Sequence, residues 1–172
     1  MLVRCDKRIA PLERASRMSS SSALPVPSSA RVASFFGAYR FLSNFWPARV
    51  RLTGDRFLYP TVEHAYQAAK TDLRWRAGLQ SARTPADAKR QARALALLPD
   101  WEARKLPVME DLLRQKFAHP ELRSLLLATG DAELVEGNTW GDTFWGVCRG
   151  RGQNHLGRLL MAIRAEIRTA AS

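Results

Sequence analysis

The sequence predicts an α+β fold: a helix-rich single domain around a small, mainly antiparallel sheet. Three observations carry this. Apolar residues recur at helical spacing in separate stretches, Val62, Ala65, Tyr66 and Ala69 in one and Leu156, Leu159, Leu160, Ile163 and Ile167 in another. Short strand-like runs lie among them, with turn residues between. The chain is 172 residues long and 46% hydrophobic, which suits one domain. A chain of that size buries roughly 70% of its unfolded surface, and no internal repeat is visible.

The fold is expected to occupy 34–170. Residues 1–33 read as a disordered, basic, Ser- and Pro-rich segment, because Ser19 to Ser22 and Pro25-Val26-Pro27-Ser28-Ser29 offer little apolar surface to bury. The segment has no apolar h-region for a secretory signal, and Asp6 and Glu13 count against a transit peptide. Met18, directly before the serine run, is an alternative start of translation.

Phe35-Phe36, Val50-Arg51-Leu52 and Phe57-Leu58-Tyr59 read as strands, the last two joined by a turn at Gly54-Asp55. Thr61 is a natural cap for the helix that follows. Thr84-Pro85-Ala86-Asp87 is a second start signal: a capping threonine, proline at the first helical position and a carboxylate in the first turn. An Ala-rich run to Leu98 continues it. Asp100 is expected to cap a segment from Trp101 to Phe117, and Pro107 to break or kink it for want of an amide donor. Pro120 opens another helix, which Gly130 ends. Leu134-Val135 and Trp145-Gly146-Val147 are strand candidates, and Asn154 opens the last helix.

Charge and composition narrow the function. Lys plus Arg is 27 against 16 for Asp plus Glu, a net +11, and Arg supplies 22 of the 27. A bias toward Arg and Ala codons accounts for the Arg-to-Lys ratio, but the positive sign favours anionic partners such as nucleotides or nucleic acid. No run of 18 apolar residues exists, which excludes a membrane-spanning helix. Cys5 and Cys148 are the only cysteines, so a disulfide scaffold and a four-cysteine zinc site are excluded. Sparse cysteine suits a reducing, cytoplasmic compartment.

Four stretches are candidates for chemistry. In Thr61–Lys70, Glu63, Gln67 and Lys70 stand at i, i+4 and i+7 on one helix face, with Glu63 and Lys70 about 10 Å apart along the axis. They bracket a small ligand or form a solvated polar face. His64 lacks a partner ligand at i+4, where alanine stands, so no metal site is expected. In Arg40–Pro47, polar Ser43 and Asn44 sit among aromatics, as in a small-molecule pocket or a buried turn. In Asn138–Gly146, Asp142 stands between Trp140 and Trp145, where rings can stack on a base and the carboxylate can bind a hydroxyl or cap a turn. Arg149-Gly150-Arg151-Gly152-Gln153-Asn154 leads into a helix as an anion site or an ordinary loop. No G-x-S-x-G or H-E-x-x-H motif is present.

In order, Phe41-Leu42-Ser43-Asn44-Phe45, Thr61–Lys70, Asp100-Trp101-Glu102, Val108-Met109, Lys116-Phe117, Asp142–Gly146, Gly152–Gly157 and Leu160-Met161 resemble the NADAR (YbiA-like) family over residues 35–168. The resemblance implies a compact α+β N-glycosidase domain that hydrolyses a ribose C1–N bond. The substrate would be a phosphorylated ribosylamine intermediate of riboflavin biosynthesis or ADP-ribose linked to guanine in nucleic acid. The resemblance implies catalytic roles for Glu63 and Lys70 and pocket positions for Asn44, Trp101, Asp142 and Trp145. Cys148 where a glycine is usual, Thr71 where an aromatic is common, and the arginine-rich 149–152 link depart from the family pattern.

The chemistry expected from these residues is a proton transfer by Glu63 and attack on C1 by neutral Lys70, with a Schiff base that water hydrolyses. Asp142 would hold ribose hydroxyls or steady the cation at C1. Trp140 or Trp145 would stack the base, Arg40 and Arg149 would meet phosphate, and Ser43, Asn44, His64, Gln67, Trp101 and Asn154 would complete the substrate contacts. Neither cofactor nor metal is expected. The alternative is a non-catalytic ADP-ribose or nucleic-acid-binding module, with steeply salt-dependent affinity in the nucleic-acid case.

Overall fold

The computed structural model describes residues 30–170. The order along the chain is β1 (Arg31–Val32), a 3₁₀ helix (Gly37–Leu42), β2 (Pro47–Val50), β3 (Tyr59–Thr61), α1 (Val62–Ala69), a second 3₁₀ helix (Leu73–Trp75) and α2 (Arg76–Gln80). Then come α3 (Pro85–Ala92), α4 (Trp101–Ala118), α5 (Pro120–Ala128), β4 (Glu133–Leu134), β5 (Gly137–Asn138), β6 (Val147–Cys148) and α6 (His155–Thr169). The α+β, helix-rich class holds. The single, mainly antiparallel sheet does not: among the described residues the strands form three pairs, of which β2–β3 is antiparallel while β1–β4 and β5–β6 are parallel. The two-residue strands β1, β4, β5 and β6 are too short to build a wider sheet.

The fold also starts ahead of residue 34. Val32 is 2% exposed and pairs with Leu134, so β1 belongs to the core. Phe35-Phe36 is not a strand; Phe35 is buried beside the first 3₁₀ helix and Phe36 is exposed. Strand β3 begins at Tyr59 rather than Phe57 and runs into the cap of α1.

The helix starts follow local chemistry. The Thr61 hydroxyl accepts from the His64 amide at 3.3 Å, and the Thr84 hydroxyl accepts from the Asp87 amide at 3.1 Å. Asp100 takes the N-cap position of α4 but makes no capping bond; its carboxylate faces Arg104 at 3.5 Å instead. Helix α3 stops at Ala92, short of Leu98, whose amide donates to the Lys70 carbonyl at 2.9 Å. Pro107 does not break α4. Residues 103 and 107 are both exposed, so the carbonyl that loses its amide partner faces water.

Helix α1 sits at the centre, packed against α2, α3 and α4. All eight of its residues are buried, including Glu63, His64 and Gln67. Helix α6 closes the other side, with Leu156, Leu160 and Ile163 in the core. Gly157 is what lets it approach β4: a Cβ there would lie 2.0 Å from the Leu134 carbonyl oxygen.

Candidate active site

The solvated-face reading of α1 fails on burial. Glu63 is 5% exposed and Gln67 2%. Polar side chains are left in a core only when other groups compensate them or function demands it. Gln67 Nε2 donates to Glu63 Oε1 at 2.7 Å, the i, i+4 contact expected from the spacing. Burial pushes the Glu63 carboxyl above its usual range, Asp142 pushes the same way, and Lys89, the Gln67 bond and Lys70 oppose it. Lys70, half-buried at the end of α1, is pulled below the ordinary lysine range by burial, with Lys89 and Arg93 adding to that and Glu63 opposing it. The pair therefore holds a carboxyl biased toward its acid form and an amine biased toward its neutral form, the two states that proton donation and nucleophilic attack require.

Asn44 abuts this face: its carbonyl accepts from the Glu63 amide at 3.0 Å, and its Nδ2 lies 3.5 Å from Met109 Sδ. The aromatic wall is built around Tyr66. Its ring centroid is 5.0 Å from Trp101 and 5.5 Å from Trp145, both edge-on, and Lys70 Nζ lies 6.0 Å from it. Asp142 caps a turn, one of the two roles its sequence left open. Oδ1 accepts from the amides of Phe144 at 3.1 Å and Trp145 at 2.8 Å, which fixes the tryptophan, and its charge acts on Glu63. Asn138 ties the same loop, donating to the Asp142 carbonyl at 2.7 Å and accepting from its amide at 3.1 Å.

The remaining expected site residues bond to the protein itself or stand exposed. The ring nitrogens of His64 lie 2.8 Å from Thr61 Oγ1 and 3.1 Å from the Ala82 carbonyl, so the histidine pins α1 to the segment before α3. Asn154 spends its side chain on backbone: Oδ1 accepts from the Glu136 amide at 3.1 Å and Nδ2 donates to the Leu134 carbonyl at 2.9 Å. It opens α6 with a left-handed backbone, φ 52°, and no capping bond. The Ser43 hydroxyl accepts from the Phe45 amide at 3.2 Å. Arg40 and Arg149 are exposed. Trp140 is 55% exposed and meets Phe36 edge-on at 6.3 Å, away from the Tyr66 wall.

The structure adds three residues that motif reading passed over. Lys116 is fully buried and donates to the Ser43 carbonyl at 2.7 Å; burial lowers its pKa to about 7, opposed by Glu136. Glu136 is raised to about 7 by burial and Asp142. Lys89 acts on Glu63, Lys70 and Glu136 together. Lys116 fell inside a family block, whereas nothing local marks Lys89 or Glu136 as more than surface charges. A groove of about 650 Å³ lies elsewhere, between Trp46, Arg49, Pro60, His119 and Leu122, and holds none of these groups.

A model of the NADAR domain matches residues 34–168. The chain belongs to the NADAR family. N-glycosidase YbiA of Escherichia coli (strain K12) is 42% identical over 136 residues, covering 75% of this chain and 82% of the relative. N-glycosidase Npun_R5314 of Nostoc punctiforme is 38% identical over 142 residues, 78% of this chain and 89% of the relative. The riboflavin biosynthesis protein PYRR of Zea mays, chloroplastic, is 39% identical over 150 residues, which is 77% of this chain but 23% of the maize protein. The NMR structure of E. coli YbiA superposes with a TM-score of 0.71 at 38% identity, over 82% of this chain and 85% of that one. Within this NADAR domain, Glu63, Gln67, Lys70, Asn44, Trp101, Asp142 and Trp145 form one neighbourhood, built from α1, the loop before β2, the start of α4 and the β5–β6 loop.

Proposed function

We propose that this chain is an N-glycosidase that hydrolyses the bond between ribose C1 and a nitrogen in a phosphorylated ribosyl compound. Its enzyme class, a hydrolase of N-glycosyl bonds, follows from the family and from relatives named N-glycosidase. The observation that carries the mechanism is the buried Glu63 carboxyl on the same helix face as a half-buried Lys70. Glu63 gives its proton to the departing nitrogen as the C1–N bond breaks. Lys70 Nζ forms a bond to C1, the sugar ring opens to a Schiff base, and water releases the sugar and regenerates the amine. Asp142 steadies positive charge at C1, and the Tyr66–Trp101–Trp145 wall supports the face of the base.

A ribosylamine of riboflavin biosynthesis is the favoured substrate. Relatives from Zea mays and Vibrio vulnificus carry riboflavin biosynthesis names, the latter 38% identical over 136 residues. ADP-ribose on guanine is the second reading, favoured by the net charge of +11 and the exposed Phe36–Trp140 pair. Incubation with each substrate separates them through release of ribose 5-phosphate or of ADP-ribose. Lys70→Ala abolishes turnover in a folded protein and removes the adduct that borohydride traps in wild type; full activity in Lys70→Ala refutes the covalent step. Glu63→Gln lowers the rate at least ~100-fold, and an unchanged rate refutes its role.

A further inference from the structure

Among the described residues, four buried side-chain atoms lack a hydrogen-bond partner, and three are acceptor oxygens: Asn44 Oδ1, Gln67 Oε1 and Glu136 Oε2. An unpaired buried acceptor is costly, so three together call for donors brought by something that binds. Two belong to the Glu63 neighbourhood through the bonds already described, Gln67 by donating to Glu63 and Asn44 by accepting from its amide. The third is tied to the same place by packing, because Glu136 lies against Gly146, the residue that follows Trp145 of the Tyr66 wall. Glu136 is acted on by Asp142 of the β5–β6 loop, Lys116 of α4, Lys89 of α3 and Glu63 of α1.

Glu136 is also held firmly. Its amide donates to Asn154 Oδ1 at 3.1 Å, and its carbonyl accepts from the Val147 amide at 2.9 Å. Gly146 presses on it so closely that a Cβ there would lie 2.2 Å from the Glu136 carbonyl oxygen and 3.0 Å from its Cγ. The aim of the side chain is therefore set by packing. Few structural reasons exist for burying a carboxylate oxygen with no partner.

We propose that Glu136 is a further catalytic residue of this site, the base that activates the water which releases the sugar. The inference rests on the Lys70 reading above. The water oxygen bonds to C1 of the Schiff base while one of its protons passes to the Glu136 carboxylate. Glu136 returns that proton to the Lys70 nitrogen as the C1–N bond breaks. The remaining hydroxyl proton follows to the same nitrogen, which leaves a carbonyl at C1 and Lys70 as an ammonium. Lys116 steadies Glu136 as an anion, and Glu63 is left free for the first step, where it must be protonated. A carboxyl titrating near neutrality is suited to accept and return a proton within one cycle.

The test is Glu136→Gln in the full chain. Its expected kcat falls at least ~100-fold, with KM within about threefold of wild type. The limb of the kcat/KM profile near pH 7 disappears. Borohydride traps more Lys70 adduct than in wild type, because formation continues and release stalls. Glu136→Asp recovers part of the rate. A Glu136→Gln enzyme within threefold of wild-type kcat, with the pH 7 limb intact, overturns the proposal. If Glu136→Gln does not fold, Glu136→Asp decides: unchanged kcat and unchanged adduct level overturn it, and a slowed kcat with more adduct supports it. Absence of any adduct in wild type refutes the Lys70 reading instead, and the role of Glu136 as base is then judged on rate and pH profile alone.

Discussion

Replacing Asn154 by alanine separates a structural role from a substrate contact. Two hydrogen bonds are lost, from Glu136 N–H at 3.1 Å and to the Leu134 carbonyl at 2.9 Å. Leaving the buried Leu134 carbonyl unpaired costs about 2 kcal/mol and the half-buried Glu136 amide about 1. Alanine at a φ of 52° adds about 1 kcal/mol, because it lacks the short polar side chain through which asparagine tolerates the left-handed region. The sum is about 4 kcal/mol, and at about 3 °C per kcal/mol for a domain of this size the Tm falls by ~12 °C. Asn154→Gly keeps the backbone conformation and loses only the bonds, so its Tm falls by ~9 °C; the ~3 °C between the variants measures the backbone alone. Differential scanning calorimetry provides both values, and initial rates provide KM, which stays near wild type. A Tm within about 2 °C of wild type together with a severalfold higher KM refutes this reasoning and makes Asn154 a substrate contact.

Two further outcomes follow from packing and charge. Gly157→Ala drives a Cβ to 2.0 Å from the Leu134 carbonyl oxygen, so α6 must move off β4; the urea midpoint falls by the equivalent of about 3 kcal/mol, and an unchanged midpoint means α6 yields freely. Burial lowers the His64 pKa, opposed by its bond to the Ala82 carbonyl and by Asp87, so the folded protein holds the ring neutral while the unfolded chain protonates near pH 6.5. His64 therefore contributes stability at pH 7.5 that is lost as the pH falls below about 6.5, with a slope of at most ~1.4 kcal/mol per pH unit. Urea titrations at pH 7.5 and 5.5 test this against His64→Gln, whose loss over the same interval is smaller; equal losses in both proteins refute it.

Some elements were legible because their causes are local. Thr61 and Thr84-Pro85 cap their helices, Pro120 opens α5, and Gly130, with a φ of 59°, ends it, as the sequence predicts. The apolar stripe of α6 faces inward for the same reason, since a period of 3.6 residues repeats within one element. Pro107 was misjudged because its cost depends on whether water reaches the carbonyl one turn earlier. Strand direction was misjudged because parallel pairing joins segments about 100 residues apart in the β1–β4 case. Spacing alone left open whether Glu63, Gln67 and Lys70 form a site or a wet surface.

By itself, the sequence determined the helix-rich class, the starts of α1, α3, α4, α5 and α6, the family, and a carboxyl and an amine two turns apart on one helix. Only the tertiary structure decided that this helix is buried on every side, that His64 and Asn154 hold backbone, and that Lys89, Lys116 and Glu136 join the charge cluster. The physical reason is range. Backbone preference and helical period act over a few residues, whereas desolvation and Coulomb coupling depend on whatever the fold brings alongside, here residues from α1, α3, α4 and the segments flanking β5.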